Sequence, residues 1–196
     1  PQGAMFPGIR ARAPLSYEAF LERLVRPLLA EVFELPPDAR LSFPLCHYSL
    51  VTHAPEKLAF LQRIPHIDSA TGRGLATVHY LFHGGWGGTA FYRHRGTGYE
   101  YVDEGRELAY FTRLEQESRS PDAPGPGYIG EDTPLFERID KVDGIFNRMV
   151  VYRRNSLHSG TIDNARIPPP DPATGRLSTN IFIDVLVSPV IEAAKE

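Results

Sequence analysis

Proline and glycine cap the regular structure this chain can hold. Eighteen prolines and seventeen glycines interrupt 196 residues. Proline removes a backbone donor and locks φ, and glycine weakens helix and strand interiors alike. The chain must therefore be assembled from short elements joined by many turns. The longest helical period, Ser16 to Phe33, carries Phe20, Leu21, Leu24, Val25, Leu28, Leu29, Val32 and Phe33 at helical spacing. Ser16 can cap it, Glu18 suits its first turn, and Pro27 is expected to kink or split it. A second, shorter helix is expected from Pro55-Glu56, with Leu58, Leu61 and Ile64 on one side.

From residue 64 the period changes. Gly74 to Phe82, Thr89 to Arg95 and Tyr99 to Val102 read as strands, the first two joined by the turn HGGWGG. A helix is expected over Gly105 to Glu117. Further strands are expected over Phe146 to Arg153 and Ser178 to Val187. Two proline-rich loops, Ser118 to Pro134 and residues 162–175, lie between. Helices first and short strands after them fit a β-sandwich or barrel with a helical flank, not alternating βαβ units. The expected organisation is a single domain over 5–196, with a mainly helical flank at 5–63 and a β core at 64–187. Pro1 to Ala4, ahead of Met5, reads as a cloning scar.

With 42% hydrophobic and 23% charged residues, the chain has the composition of a folded globular protein rather than a disordered one. A net charge of -3 supplies no field to hold a nucleic-acid backbone or a membrane surface. No nucleic-acid or membrane partner is expected. Cys46 is the only cysteine, which excludes an intrachain disulfide and fits a reducing, cytoplasmic compartment. No apolar run approaches the length of a membrane span, and no signal-type segment opens the sequence.

The strongest chemical signal is Pro65-His66-Ile67-Asp68. In extended backbone, residues two apart share a face, so His66 and Asp68 can aim a ring nitrogen and a carboxylate oxygen at one point. Two ligands are too few for a tight metal site. His158, in Asn155-Ser156-Leu157-His158-Ser159-Gly160 just after a strand, can supply a third. Two histidines and a carboxylate on one face of an octahedron form the facial triad of non-heme Fe(II) oxygenases, which keeps positions open for oxygen and an organic co-substrate.

The motifs that follow have a recognisable order. After His66-Ile67-Asp68 come the strand ATVHYLF, then Trp86-Gly87-Gly88-Thr89-Ala90-Phe91, the strand FNRMVVYR, His158, and Gly175-Arg176-Leu177-Ser178 opening the last strand. This series resembles the Fe(II)- and 2-oxoglutarate-dependent dioxygenases, closest to their prolyl-hydroxylase-like branch, over roughly residues 64 to 187. The resemblance implies a mainly β fold, a double-stranded β-helix of the jelly-roll, cupin-like kind, flanked by N-terminal helices. It implies His66, Asp68 and His158 as iron ligands, with Fe(II), 2-oxoglutarate and O2 as cofactor and co-substrates. It also implies Arg176 on the distal carboxylate of 2-oxoglutarate, with Ser178 beside it. Tyr80 matches the tyrosine of the family's Tyr-Leu strand; it either reaches the co-substrate carboxylate or is a core tyrosine.

The family's basic residue follows the distal histidine at a shorter interval than Arg176 follows His158, and Arg166 lies nearer that interval. Arg176 is preferred because it opens an apolar strand in an Arg-x-Ser pattern, whereas Arg166 sits in a loop beside Pro168-Pro169-Pro170. The implied activity is oxidation, most simply hydroxylation, of an unactivated C–H bond in a peptide, amino acid or natural product. Asp68 favours hydroxylation over halogenation, because related halogenases carry a small residue there. The alternative is a cupin-like metal-binding protein that does not turn over 2-oxoglutarate. The two proline-rich loops are candidate lids.

The other histidines carry weaker signals. His79 and His83 have the spacing of a helical zinc pair, but the segment reads as strand. His94 lies between Arg93 and Arg95 and reads as a solvated or substrate-facing strand position. His47 and His53 read as structural. Gly84-Gly85 and Gly87-Gly88 precede neither a lysine nor a helix, so a phosphate loop is excluded.

Overall fold

The structure, a computed structural model, describes residues 6–187. Within them eight strands form two antiparallel sheets: β1 Gly8–Arg12, β2 Arg40–Val51, β3 Leu75–Tyr80, β4 Thr89–His94, β5 Phe136–Val142, β6 Met149–Arg153, β7 His158–Gly160 and β8 Leu177–Leu186. The larger sheet runs β1-β2-β8-β3-β6 and the smaller β5-β4-β7. The protein is mainly β. The reading of residues 1–4 lies outside the described residues.

Strand alternation builds three apolar layers. Between the sheets, Ala76, Val78 and Tyr80 of β3 and Val150 and Tyr152 of β6 pack with Phe182, Phe91 and Val142. The opposite residues of the larger sheet, Leu75, Ile181 and Ile183, meet the N-terminal helices at Leu21 and Leu29. On the outer face of the smaller sheet, Ala90, Tyr92 and Phe136 meet Tyr110 and Leu114 of a helix over Glu107–Glu117. Each large aliphatic side chain buried in these layers contributes about 1.5–3 kcal/mol.

The N-terminal helix forms as α1 (Leu15–Phe20), a π-helical turn (Leu21–Val25) and α2 (Arg26–Val32). Pro27 explains the split. It has no N–H to offer the carbonyl of Arg23, and its ring crowds that carbonyl in an α-turn. The wider turn sits just before it. The helix expected from Pro55 is instead two 3₁₀ turns, Pro55–Lys57 and Phe60–Gln62.

The flank over 5–63, expected to be mainly helical, carries strands as well as helices: β1 and β2 supply two of the five strands of the larger sheet. A bulge hides β2 from its own pattern. The register with β8 shifts between Ser42 and Leu45, at Pro44. Leu41 and Phe43 before the bulge, and Cys46 and Tyr48 after it, all pack toward the helices. The apolar parity thus changes from odd to even in mid-strand. Conversely, the strand expected over Tyr99 to Val102 is reduced to single bridges, His94 to Tyr99 and Tyr101 to Ser156. Among the described residues no helix is long and apolar enough to cross a membrane.

Candidate active site

The three expected ligands meet at one end of the space between the sheets. His158 lies on β7 opposite Phe91. His66 is in no strand but makes a single bridge to His158. Each backbone N–H donates to the other's carbonyl, at 2.9 and 3.0 Å. The Asp68 N–H donates to the Arg154 carbonyl at 2.8 Å, at the far end of β6. Main-chain bonds thus set all three residues before any side chain is placed. The two rings lie 4.4 Å apart between centroids, and Asp68 faces both, with Oδ1 3.8 Å from His66 Nε2 and Oδ2 3.6 Å from His158 Nε2. One ligand atom from each residue lies within 4.8 Å of the other two.

The local electrostatics suit a cation. Burial, followed by the neighbouring His158 and Arg10, pushes His66 down to about 3, so its ring is neutral at ordinary pH. Burial pushes Asp68 up, against the pull of His158, Arg10 and Arg154. Its Oδ2 is buried without a hydrogen-bond partner. Nδ1 of His158 donates to the Ser156 carbonyl at 2.9 Å, which leaves Nε2 with its lone pair toward Asp68. Two imidazoles and an unpartnered carboxylate oxygen, converging on one point, fit a divalent metal ion.

These residues line a cavity of about 290 Å³. Arg176 lines it too and is buried, at 5% exposure. Its Nε donates to the Trp86 carbonyl at 3.1 Å and Nη2 to the Gly88 carbonyl at 2.8 Å. The glycine turn makes this cradle. Gly87 has φ +79°, and a Cβ there would stand 1.5 Å from the Thr161 carbonyl oxygen. Arg176 has no carboxylate partner among the described residues, and burial pulls its guanidinium down from the usual range. A buried arginine held only by carbonyls keeps a charge that an anion in the cavity would neutralise.

The other expected site residues do not line the cavity. Tyr80 is fully buried in the core between the sheets, and its hydroxyl donates to Thr89 Oγ1 at 2.7 Å. Thr89 itself lines the cavity. Ser178 is buried as well, and its hydroxyl donates to Asn180 Oδ1 at 3.0 Å; Asn180 is the cavity residue. Arg166 is exposed and stacks on the outer Trp86 ring, 4.4 Å from its centroid. Of the two arginines left open by the sequence, Arg176 is the one on the cavity wall. His79 bonds Tyr17 Oη and Asn147, and His83 stacks on Phe146, so no zinc pair forms.

Several cavity residues were not expected from the sequence. Tyr152 packs its ring 4.5 Å from that of His158, and burial raises its hydroxyl well above the usual range. Arg10 enters from β1. Tyr128, from the loop 118–134, donates its hydroxyl to the His53 carbonyl at 2.6 Å. Parity was the available signal: Tyr152 follows Val150, and Asn180 follows Ser178, by two residues on strands facing the space between the sheets.

Asn164, in the second proline-rich loop, accepts from the Tyr128 N–H at 2.7 Å and donates to its carbonyl at 2.9 Å. The two candidate lids are therefore joined to each other beside the cavity.

No curated protein and no solved structure matches this chain significantly. A family model described as a family of unknown function, DUF6445, matches residues 1–183, a span that holds His66, Asp68, His158 and Arg176. The chain belongs to the DUF6445 family.

Proposed function

We propose that this protein is an Fe(II)- and 2-oxoglutarate-dependent dioxygenase that hydroxylates a C–H bond of a small-molecule or peptide substrate. We read its two sheets as a double-stranded β-helix, and its buried free cysteine fits a cytoplasmic location. One observation carries the reading. A His-Asp-His cluster and a buried arginine without a carboxylate partner line the same cavity.

His66 and His158 offer neutral nitrogens, and Asp68 offers the single negative charge. Together these three residues would hold a divalent ion against the cavity they line. Arg176 binds the distal carboxylate of 2-oxoglutarate through the donors its two carbonyls do not use; a planar guanidinium suits this better than an ammonium. Val78, Ile162 and Phe182 keep that wall of the cavity apolar and restrict water. Tyr80 holds Thr89 in place, and Ser178 holds Asn180, so both act as positioning residues. Bound iron, with O2, supplies the oxidising power for the C–H bond while 2-oxoglutarate is decarboxylated to succinate.

Adding Fe(II) and 2-oxoglutarate without air should give a charge-transfer absorption band that needs both. Admitting air should release succinate. A protein that binds the metal but gives neither signal is the cupin-like alternative.

A further inference from the structure

We propose that the substrate of this site is a small, largely apolar monocarboxylic acid whose carboxylate is bound by Arg10. The inference rests on the function proposed above and adds the substrate's class.

Arg10 stands on β1, the edge strand of the larger sheet, opposite Ser49 of β2. It lines the same cavity as His66 and Asp68, with its guanidinium 4.6 Å from the centroid of Phe6. Two residues along the same strand, Arg12 pairs with Glu18 at 3.8 Å. Arg10 has no such pair among the described residues. The cavity's two arginines serve different ends of it. Arg176 is felt by Tyr80 and Tyr128, and Arg10 by Asp68, His66 and Tyr152. Arg10 is thus the cation beside the reacting end.

Charge balance points to what it binds. A divalent ion and a dianionic co-substrate cancel. Of the cavity's own charges, Asp68 offsets one arginine, and one positive charge remains. Arg10 is exposed where it lines the cavity, and a monoanionic ligand seated there neutralises the remaining charge in a charge-assisted pair. A carboxylate also fits the guanidinium fork. Phe6, Pro7, Val51 and Ile67 line the cavity together with Arg10, beside the polar Gln62, and these apolar side chains suit a ligand with a largely apolar body. The volume, about 290 Å³, is at the small end for ligand pockets and must also admit the co-substrate.

The test uses the Fe(II)- and 2-oxoglutarate-loaded protein without air. Its probes are a panel of small aliphatic, aromatic and amino carboxylic acids, each matched with its primary amide. Binding is read as a rise in melting temperature, and co-substrate loading as the absorption band. Some acids should raise the melting temperature, and their amides should not. Arg10→Gln should weaken those acids at least about tenfold and abolish the distinction from the amides. Arg10→Lys should restore part of it, and the band should be unchanged in both variants. Acids and amides acting alike, no acid acting at all, or Arg10→Gln leaving the distinction intact would each overturn the proposal. If wild-type protein gives no band, the functional reading fails instead. The same panel on the metal-loaded protein alone then decides the role of Arg10.

Discussion

Two histidine–carboxylate clusters lie on opposite faces of the smaller sheet, and they have opposite economies of bonding. On the outer face His94 is fully buried. It bonds Thr97 Oγ1 through Nδ1 at 2.9 Å and Glu117 Oε2 through Nε2 at 2.6 Å. Arg113 donates to the other oxygen of Glu117 at 2.6 Å. His94 and both oxygens of Glu117 have partners there, although the hydroxyls of Tyr92 and Tyr110 in the same layer are buried without one. On the inner face His66, Asp68 and His158 converge at 3.6–3.8 Å without hydrogen bonds among their side chains, and Asp68 Oδ2 is left buried and alone. Residue type does not separate a structural cluster from a functional one. What sets the inner one apart is an unpaired carboxylate oxygen where the ligand atoms of two histidines converge on it.

Breaking the inner cluster should have the largest effect. On the proposed function, His158→Ala and Asp68→Ala each remove one of three ligands. The loss of Fe(II) affinity should exceed the 10–100-fold typical of losing a mere supporting hydrogen bond. An anaerobic metal titration measures it, and Glu117→Ala should leave the titration unchanged. Next comes the other end of the cavity. On the proposed function, Arg176→Ala should weaken 2-oxoglutarate by two to three orders of magnitude, since losing one partner of a buried charge pair costs about 3–5 kcal/mol. Arg176→Lys should recover part, and Arg166→Ala should be nearly silent. Equilibrium binding followed by the absorption band decides among them.

The outer cluster should answer in stability instead. Glu117→Ala strands buried His94 and should cost about 3 kcal/mol in urea unfolding. Metal-free Asp68→Asn should cost little or nothing, because no hydrogen bond to Oδ2 is lost. If Asp68→Asn proves the more damaging to stability, the contrast between the clusters fails. Tyr80→Phe should remove about 1 kcal/mol with the bond to Thr89 and leave 2-oxoglutarate affinity close to wild type.

The last expected effect is a pH dependence. His66 titrates near 3 in the folded chain, against 6.5 for the free side chain. Between these values the unfolded chain binds more protons, so metal-free stability should fall as pH drops below about 6.5. Asp68, raised by burial, binds its proton more readily when folded and so opposes the fall at the acid end. His66→Asn should flatten the slope of melting temperature against pH between 7 and 5.

The sequence spoke clearly where chemistry was local and poorly where it depended on pairing. The spacing of His66 and Asp68 and the Arg-x-Ser at Arg176 were readable because each lies within a few residues. The long strand β2 was not, since the bulge at Pro44 reverses the parity on which a strand is recognised. β7 is only three residues long and exists through its bonds to β4. The role of Tyr80 was also beyond the sequence. It packs inward from β3, and Thr89, on the facing sheet, takes its hydroxyl. Arg10 went unnoticed because the strand carrying it, β1, was not recognised.

The bond between Asn164 and Tyr128 has a kinetic meaning. Asn164 holds both main-chain groups of Tyr128, and Gly127, at φ +143°, brings the backbone so close that a Cβ would stand 3.1 Å from Asn164 Oδ1. Two loops that are remote in sequence thus share one latch. Neither can swing away without undoing both hydrogen bonds at once. Access to the cavity from that side is therefore a single all-or-none event rather than two independent fluctuations. Its frequency sets an upper limit on how fast anything entering there is exchanged, however fast the chemistry inside.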